Sequence, residues 1–289
     1  MRGMRHPGVL ARSRDALLDW YEPRRGTYPW RCSRDPYRIL VSELMLQQTQ
    51  APRVVPAYSA FLRRFPSLRS LARAPRRDVL LAWEGLGYNR RAVALSEAVR
   101  AIVRDHAGRV PADPTTLRAL PGVGAYTAAA VASIAFGAPV AAIDTNVRRI
   151  VGRVFDATED VTPARVRELA EAWLDHRDPG AWNQALMDLG REVCRPSPRC
   201  DVCPLGRSCA FLARGARPSA PRRTQGPFEG SFRQVRGAVV RVLRVHATAT
   251  ADELVTVTGF DAERVDEAVR RLTAEGLIEA RGGHVRLAR

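Results

Sequence analysis

Residues 120–137 read LPGVGAYTAAAVASIAFG. A proline and two glycines, Gly122 and Gly124, form a tight turn, and the small apolar residues after it form a helix. Residues 115–120, before the turn, also carry apolar residues at helical spacing, so the unit is helix, glycine turn, helix. Gly122 and Gly124 permit positive φ and close backbone approach. The free N–H groups that open the second helix then face outward, where the helix dipole favours an anion. Backbone donors see only phosphate, so such a turn positions a nucleic acid without reading its sequence. An ordinary helix–helix connection uses the same residues, and the choice between the two rests on the neighbouring motifs.

Working outward, segments 38–50, 53–65, 76–83, 92–105, 126–136 and 146–155 carry apolar residues at helical spacing, with FPSL, APRR, GLGY and PADP between them. Segments 163–176 and 182–193 continue the helical set. Residues 214–230 are rich in Pro, Gly and Arg and read as a linker. Segments 231–246, 250–258 and 261–275 follow as helices, and LIEARGGHVRLA reads as two strands around Gly282 and Gly283. The expected organisation is a mostly α body over 1–213, a linker over 214–230 and a winged-helix-like module over 231–289, with no internal repeat.

Composition narrows the partners. The chain has 289 residues, 46% of them hydrophobic, enough for a sizeable core and too many for a disordered chain. Its net charge of +16 favours a polyanion, most often nucleic acid. All 46 strongly basic residues are arginine; the chain has no lysine. No apolar run approaches the roughly 20 residues of a membrane helix, and the first residues lack the apolar stretch of a signal peptide. The chain is therefore expected in the cytoplasm, at the nucleoid, with no membrane partner.

Four of the five cysteines, Cys194, Cys200, Cys203 and Cys209, crowd into one short loop as C-x5-C-x2-C-x5-C. Four thiolates in one loop suit a [4Fe–4S] cluster, with zinc as the alternative. Arg195, Arg199 and Arg207 make that loop basic, and Cys32 reads as a structural thiol. Two carboxylates also stand out. Glu43 sits in the otherwise apolar LVSELML, where burial would raise its pKa and keep a proton available. Asp144 enters a helix two residues before Asn146, at an N-cap position. A solvated helix face for Glu43 and a simple cap for Asp144 are the bland readings.

LPGVGAYTAAAVASIAFG followed by AAIDTNVRR resembles the helix-hairpin-helix DNA glycosylases with a Gly/Pro-rich loop and an aspartate, the HhH-GPD superfamily. With YPWR (28–31), SELMLQQTQ (42–50), GLGY (85–88), NQALMDLG (183–190) and the cysteine loop, it resembles the adenine DNA glycosylases, the MutY family, over residues 10–215 or so. The resemblance implies a two-lobed helical glycosylase fold with a [4Fe–4S] loop held by Cys194, Cys200, Cys203 and Cys209. It makes Glu43 the general acid at the adenine ring nitrogens, and Asp144 the group that stabilises the sugar cation or bonds C1′ transiently. Asn146 would orient Asp144, and Tyr126 would lie beside it and hydrogen-bond it. Trp30, Arg31, Leu46 and Asp188 would line the adenine pocket, Gln48 and Tyr88 would wedge the duplex, and Gly122 and Gly124 would grip phosphate.

Related bifunctional enzymes carry a lysine that attacks C1′ where this chain has Tyr126. With no lysine present, the expectation is a monofunctional glycosylase, acting as a monomer on double-stranded DNA with a mispaired or damaged base. Its target would be adenine opposite 8-oxoguanine or guanine. The alternatives are a helix-hairpin-helix glycosylase for thymine or uracil mismatches or hypoxanthine, and a non-enzymatic iron–sulfur DNA-binding regulator.

The chain departs from the family in two places. The first two cysteines are one residue closer than usual. The 59 residues after the linker are too few for the Nudix-like domain of the well-known members. In that module the third helical segment, 261–276, carries five acids against three arginines, poor for entering a DNA groove. The hairpin with Arg281, His284, Arg286 and Arg289 is the better candidate for DNA contact, and the alternative is a module that packs on the catalytic body or binds a protein.

Overall fold

Most of the periodic segments become α-helices, delimited by the prolines and cap residues between them. In a computed structural model, which describes residues 7–218 and 226–289, they run in order: α1 Pro7–Tyr21, α2 Pro36–Leu46, α3 Ala51–Arg64, α4 Leu68–Arg73, α5 Arg76–Ala82, α6 Arg90–Asp105, α7 Pro114–Arg118 and α8 Ala125–Phe136. Then follow α9 Thr145–Val151, α10 Pro163–Trp173, α11 Pro179–Glu192, α12 Ala210–Ala213 and α13 Phe232–Val245. Strand β1 (Ala249–Thr250), α14 (Ala251–Thr258), α15 (Ala262–Ala274), β2 (Ile278–Arg281) and β3 (His284–Leu287) complete the chain. The first six residues and residues 219–225 of the expected linker lie outside the described residues.

Cap chemistry sets several helix starts. Helices α7, α10 and α11 begin with proline, and Asp113, Thr162 and Asp178 each accept a backbone N–H at the N-cap. Helix α9 is shorter than the periodicity predicts, because its last turn widens into a π-type turn over Gly152–Asp156. Helices α1 and α4 were not among the segments read from periodicity. The latter is only six residues long and rests on a reciprocal Ser67–Ser70 capping box.

The chain divides into two compact units. One comprises Met1–Glu43 and Val110–Pro221. Its core gathers α1, α9, α10 and α11 around the edge-to-face rings of Phe155, Trp173 and Trp182. Helix α8 is apolar nearly all round, and Ala128 to Ile134 are buried without a break.

The other unit comprises Leu44–Arg109 and Arg222–Arg289, so the C-terminal module clusters with the segment containing α3–α6. In that module α13, α14 and α15 pack together beside a three-stranded antiparallel sheet of order β1-β3-β2. Strands β2 and β3 form the hairpin that the sequence predicts around Gly282 and Gly283; β1, at two residues, is too short to leave a sequence pattern. The hairpin is a weaker DNA candidate than its sequence suggests. Arg286 is paired with Glu279 (Nη2–Oε2 2.8 Å, Nε–Oε2 3.0 Å), and the His284 ring lies against the Gly282 carbonyl. None of the described helices is long and apolar enough to cross a membrane.

Candidate active site

Helix α11 organises the site in the first unit. The buried Asn183 amide donates to Ser133 Oγ on α8 and to the Val140 carbonyl, both at 2.9 Å, and accepts the Ala142 N–H at 2.8 Å. It thereby fixes the extended segment that leads into Asp144. About two turns further on, Gly190 faces Asn146. A Cβ at Gly190 would fall 2.6 Å from Asn146 Cβ, so only glycine permits this approach.

Asp144 is the N-cap of α9, and each of its oxygens accepts one hydrogen bond. Oδ1 accepts the Val147 N–H at 2.7 Å and Oδ2 accepts Asn146 Nδ2–H at 2.9 Å, the acceptor-only pattern that a carboxylate anion takes. Asn146 Oδ1 accepts from Arg149 Nη2 at 2.8 Å. Arg149 also donates to the carbonyls of Gly190 (3.0 Å) and Cys194 (2.8 Å). A continuous chain of hydrogen bonds thus joins Asp144 to the start of the cysteine loop. Arg149 was not singled out from the sequence, although its position three residues after Asn146 places both on one helix face.

Glu43 lies on α2 and is buried. Burial pushes its carboxyl above the ordinary carboxylate range; the Arg31 charge and a hydrogen bond from Tyr126 pull the other way and are outweighed. The Tyr126 hydroxyl is held well above its usual value by burial and by the nearby charges of Glu43 and Asp144, so it is a permanent donor. Here the structure differs from the expectation that Tyr126 hydrogen-bonds Asp144. Its bond goes to Glu43.

Arg31 and Asp188 form a buried ion pair at 2.8 Å, and Asp188 also meets Arg191 at 3.1 Å. Burial disfavours the Arg31 charge, but Asp188 outweighs it and the guanidinium stays charged. Trp30 is buried with its ring stacked on Tyr28 at 5.0 Å, and Arg191 lies over the Tyr28 ring. Glu43, Tyr126, Asp144, Asn146, Trp30, Arg31 and Asp188 therefore all belong to the first unit. Leu46, Gln48 and Tyr88 belong to the second.

In the glycine turn, Gly122 has φ +72°, as the sequence suggests, whereas Gly124 does not need a left-handed backbone. Gly124 is the extended N-cap of α8, with φ −82°, and a Cβ there would meet nothing within 4 Å. What its missing side chain provides is open space before the N–H groups of α8.

In the second unit Gln48 and Tyr88 are both exposed and both hold left-handed backbone, with φ +55° and +47°. For non-glycine residues this costs on the order of 1–3 kcal/mol each and persists only where neighbours enforce it. Buried Arg91 does so. It donates to the carbonyls of Leu44 (2.9 Å), Met45 (2.8 Å) and Gln47, and to those of Leu86 and Gly87 (both 3.1 Å). Sequence reading missed Arg91; its only signal is an arginine on the apolar face of α6.

The four loop cysteines are free thiols, Cys194 buried and the other three half-buried. Burial raises Cys194, Cys200 and Cys203, the last to about 11, and neighbouring thiols add to the shifts. Arg153, itself buried, donates to Cys194 Sγ at 3.5 Å and to the Arg195 and Pro196 carbonyls, which fixes the loop backbone. Among the described residues no three His, Cys, Asp or Glu side chains are grouped around a single ion. Four soft thiols in one loop and a cationic donor beside the Cys194 sulfur are chemistry that fits an iron–sulfur cluster.

Residues 41–176 match the HhH-GPD superfamily of base excision DNA repair proteins. An adenine DNA glycosylase from Mycobacterium tuberculosis is 43% identical over 271 residues, covering 91% of this chain and 88% of the relative. The human adenine DNA glycosylase is 39% identical over 210 residues, covering 68% of this chain and 38% of the human protein. The solved structure of a thermostable thymine-DNA glycosylase superimposes with a TM-score of 0.67 at 30% identity, covering 72% of this chain and 98% of that one.

Proposed function

Because the chain belongs to the adenine DNA glycosylases of the HhH-GPD base excision repair superfamily, we propose that it hydrolyses the N-glycosidic bond of mispaired adenine in double-stranded DNA. The observation that carries the reading is the juxtaposition of a buried Glu43, which burial pushes above its ordinary range, with an Asp144 whose oxygens accept only N–H groups. The target nucleotide is flipped out of the stack, and Gln48 and Tyr88 enter the gap.

Glu43 donates its proton to a ring nitrogen of adenine, which turns the base into a neutral leaving group. As the bond to C1′ breaks, positive charge develops on the sugar, and Asp144 stabilises it as a carboxylate does in sugar hydrolysis. Asn146 and the Val147 N–H hold Asp144 in place, and Tyr126 orients Glu43. Water adds to C1′ and the proton it releases restores the Glu43 carboxyl, which leaves free adenine and an abasic site. No Schiff base forms through a side chain, since all 46 strongly basic residues are arginine. The strand therefore stays intact. The Gly122 turn and the N–H groups of α8 hold a phosphate, and the partner base is 8-oxoguanine or guanine.

Cys194, Cys200, Cys203 and Cys209 would hold a [4Fe–4S] cluster. When bound, it would cross-link the loop through four thiolate bonds.

The test uses labelled duplexes with adenine opposite 8-oxoguanine, guanine, cytosine or thymine, and others with thymine, uracil or hypoxanthine as target. Adenine-specific breaks that appear only after hot alkali support the reading. Breaks without alkali, or release of another base in place of adenine, contradict it.

A further inference from the structure

We propose that the C-terminal module is a buttress for the turn that carries Tyr88, acting through Arg244, and not a second DNA reader. The inference rests on the reading of Tyr88 as a duplex wedge. The first observation is charge. Residues 226–289 carry ten arginines against nine acids, whereas residues 1–225 carry 36 against 21. The module therefore has almost none of the excess that draws the rest of the chain to a polyanion.

Several of its arginines are also engaged internally. Arg236 forms a two-pronged pair with Glu275 at 2.8 and 2.6 Å, Arg271 pairs with Glu267, Arg264 donates to the Gly230 carbonyl, and Arg286 pairs with Glu279. Helix α15, the one that would enter a groove in a winged-helix reader, presents arginines already matched to acids.

What the module does touch is the α5–α6 hairpin. Arg244, near the end of α13, sends Nη2 to the Leu80 carbonyl at 3.1 Å and to Asn89 Oδ1 at 3.2 Å. Leu80 lies on α5 and Asn89 is the residue before α6, so one guanidinium bridges the two ends of the turn that contains Tyr88. A second tie, Arg76 Nη1 to the Gly276 carbonyl at 3.1 Å, anchors the base of α5 to the end of α15. Arg91 holds the same turn from inside, through the Leu86 and Gly87 carbonyls. Tyr88 is thus an exposed aromatic on a left-handed backbone, held on one side by the body and on the other by the module. A wedge transmits force to the base stack only if its base does not yield, and Arg244 supplies that stiffness.

The experiment compares Arg244→Met, which keeps the apolar stem and loses the donors, with Asn89→Ala, which removes an acceptor without touching the module, and with Tyr88→Ala. Single-turnover adenine release is measured on a fully paired duplex with one A·G mispair, and on a duplex with mismatched flanking pairs that opens without a wedge. Thermal melting reports folding. All three variants are expected to slow release from the paired duplex about tenfold and to recover on the pre-opened one. The double variant Arg244→Met/Tyr88→Ala should be no slower than Tyr88→Ala alone. If Arg244→Met and Asn89→Ala match wild type while Tyr88→Ala is slow, the buttress is wrong and the wedge stands. If Tyr88→Ala itself matches wild type, both fall. A defect in Arg244→Met that flanking mismatches do not relieve, or that adds to Tyr88→Ala, also overturns the proposal.

Discussion

Arg31 in the first unit and Arg91 in the second are both buried, and they are held in opposite ways. Arg31 faces the Asp188 carboxylate and stays charged above its ordinary range. Arg91 faces backbone carbonyls, and burial lowers it to about 10. A buried cation matched by a carboxylate adds a polar, nearly neutral wall to a site where protons and charge must be controlled. A buried cation matched by carbonyls fixes backbone shape and contributes no chemistry. The first unit is built for charge at Glu43 and Asp144; the 44–91 region of the second is built to hold two strained, exposed side chains.

Substitutions should separate these two roles. The largest effect is expected for Glu43→Gln, which removes the proposed general acid and should slow adenine release by on the order of 10³-fold in single-turnover assays. The same change should raise the melting temperature at neutral pH, because an elevated carboxyl pKa is a cost of burial. Between the unfolded and folded values the folded state binds more protons, so stability falls as pH rises through that window, and Glu43→Gln should abolish this slope.

Gly190→Ala comes next. Its methyl group must push Asn146 away and with it Asp144, and about a hundredfold loss of rate is expected with DNA affinity unchanged. Arg91→Met leaves several buried carbonyls unpaired and should destabilise the fold by about 3 kcal/mol or more by chemical denaturation. It should slow release from paired duplexes more than from pre-opened ones, as a backbone-holding role requires. The smallest effect is expected for Arg286→Ala on the hairpin, where Glu279 already neutralises the charge. The salt dependence of DNA binding should stay the same, whereas a phosphate contact would reduce its slope by about 1.

The glycine turn, the helices around it and the cysteine loop were legible because each leaves a local mark: Pro and Gly at fixed offsets, apolar residues at helical spacing, four close cysteines. Glu43 was legible as the one acid in LVSELML, and Asp144 as a cap before Asn146. The partners of these groups were less so. Tyr126 bonds Glu43 and not Asp144, a matter of three-dimensional placement that sequence spacing does not encode. Arg91, Arg149 and Arg244 were hidden for another reason. Among 46 arginines no single one stands out, and a guanidinium that binds distant carbonyls imposes no pattern on the chain. The left-handed backbone at Gln48 and Tyr88 was hidden as well, because neither residue type announces it.

The central claim is that Glu43 supplies the proton for base release, and the pH profile of single-turnover adenine excision tests it most directly. With Glu43 held above the ordinary carboxylate value of about 4.3, wild type should be fastest on the acid side and slow as pH climbs through the raised value. The profile of Glu43→Gln should lack that descending limb. A wild-type profile with no descending limb above the ordinary carboxylate value, or a Glu43→Gln profile that keeps the same limb, would contradict the account.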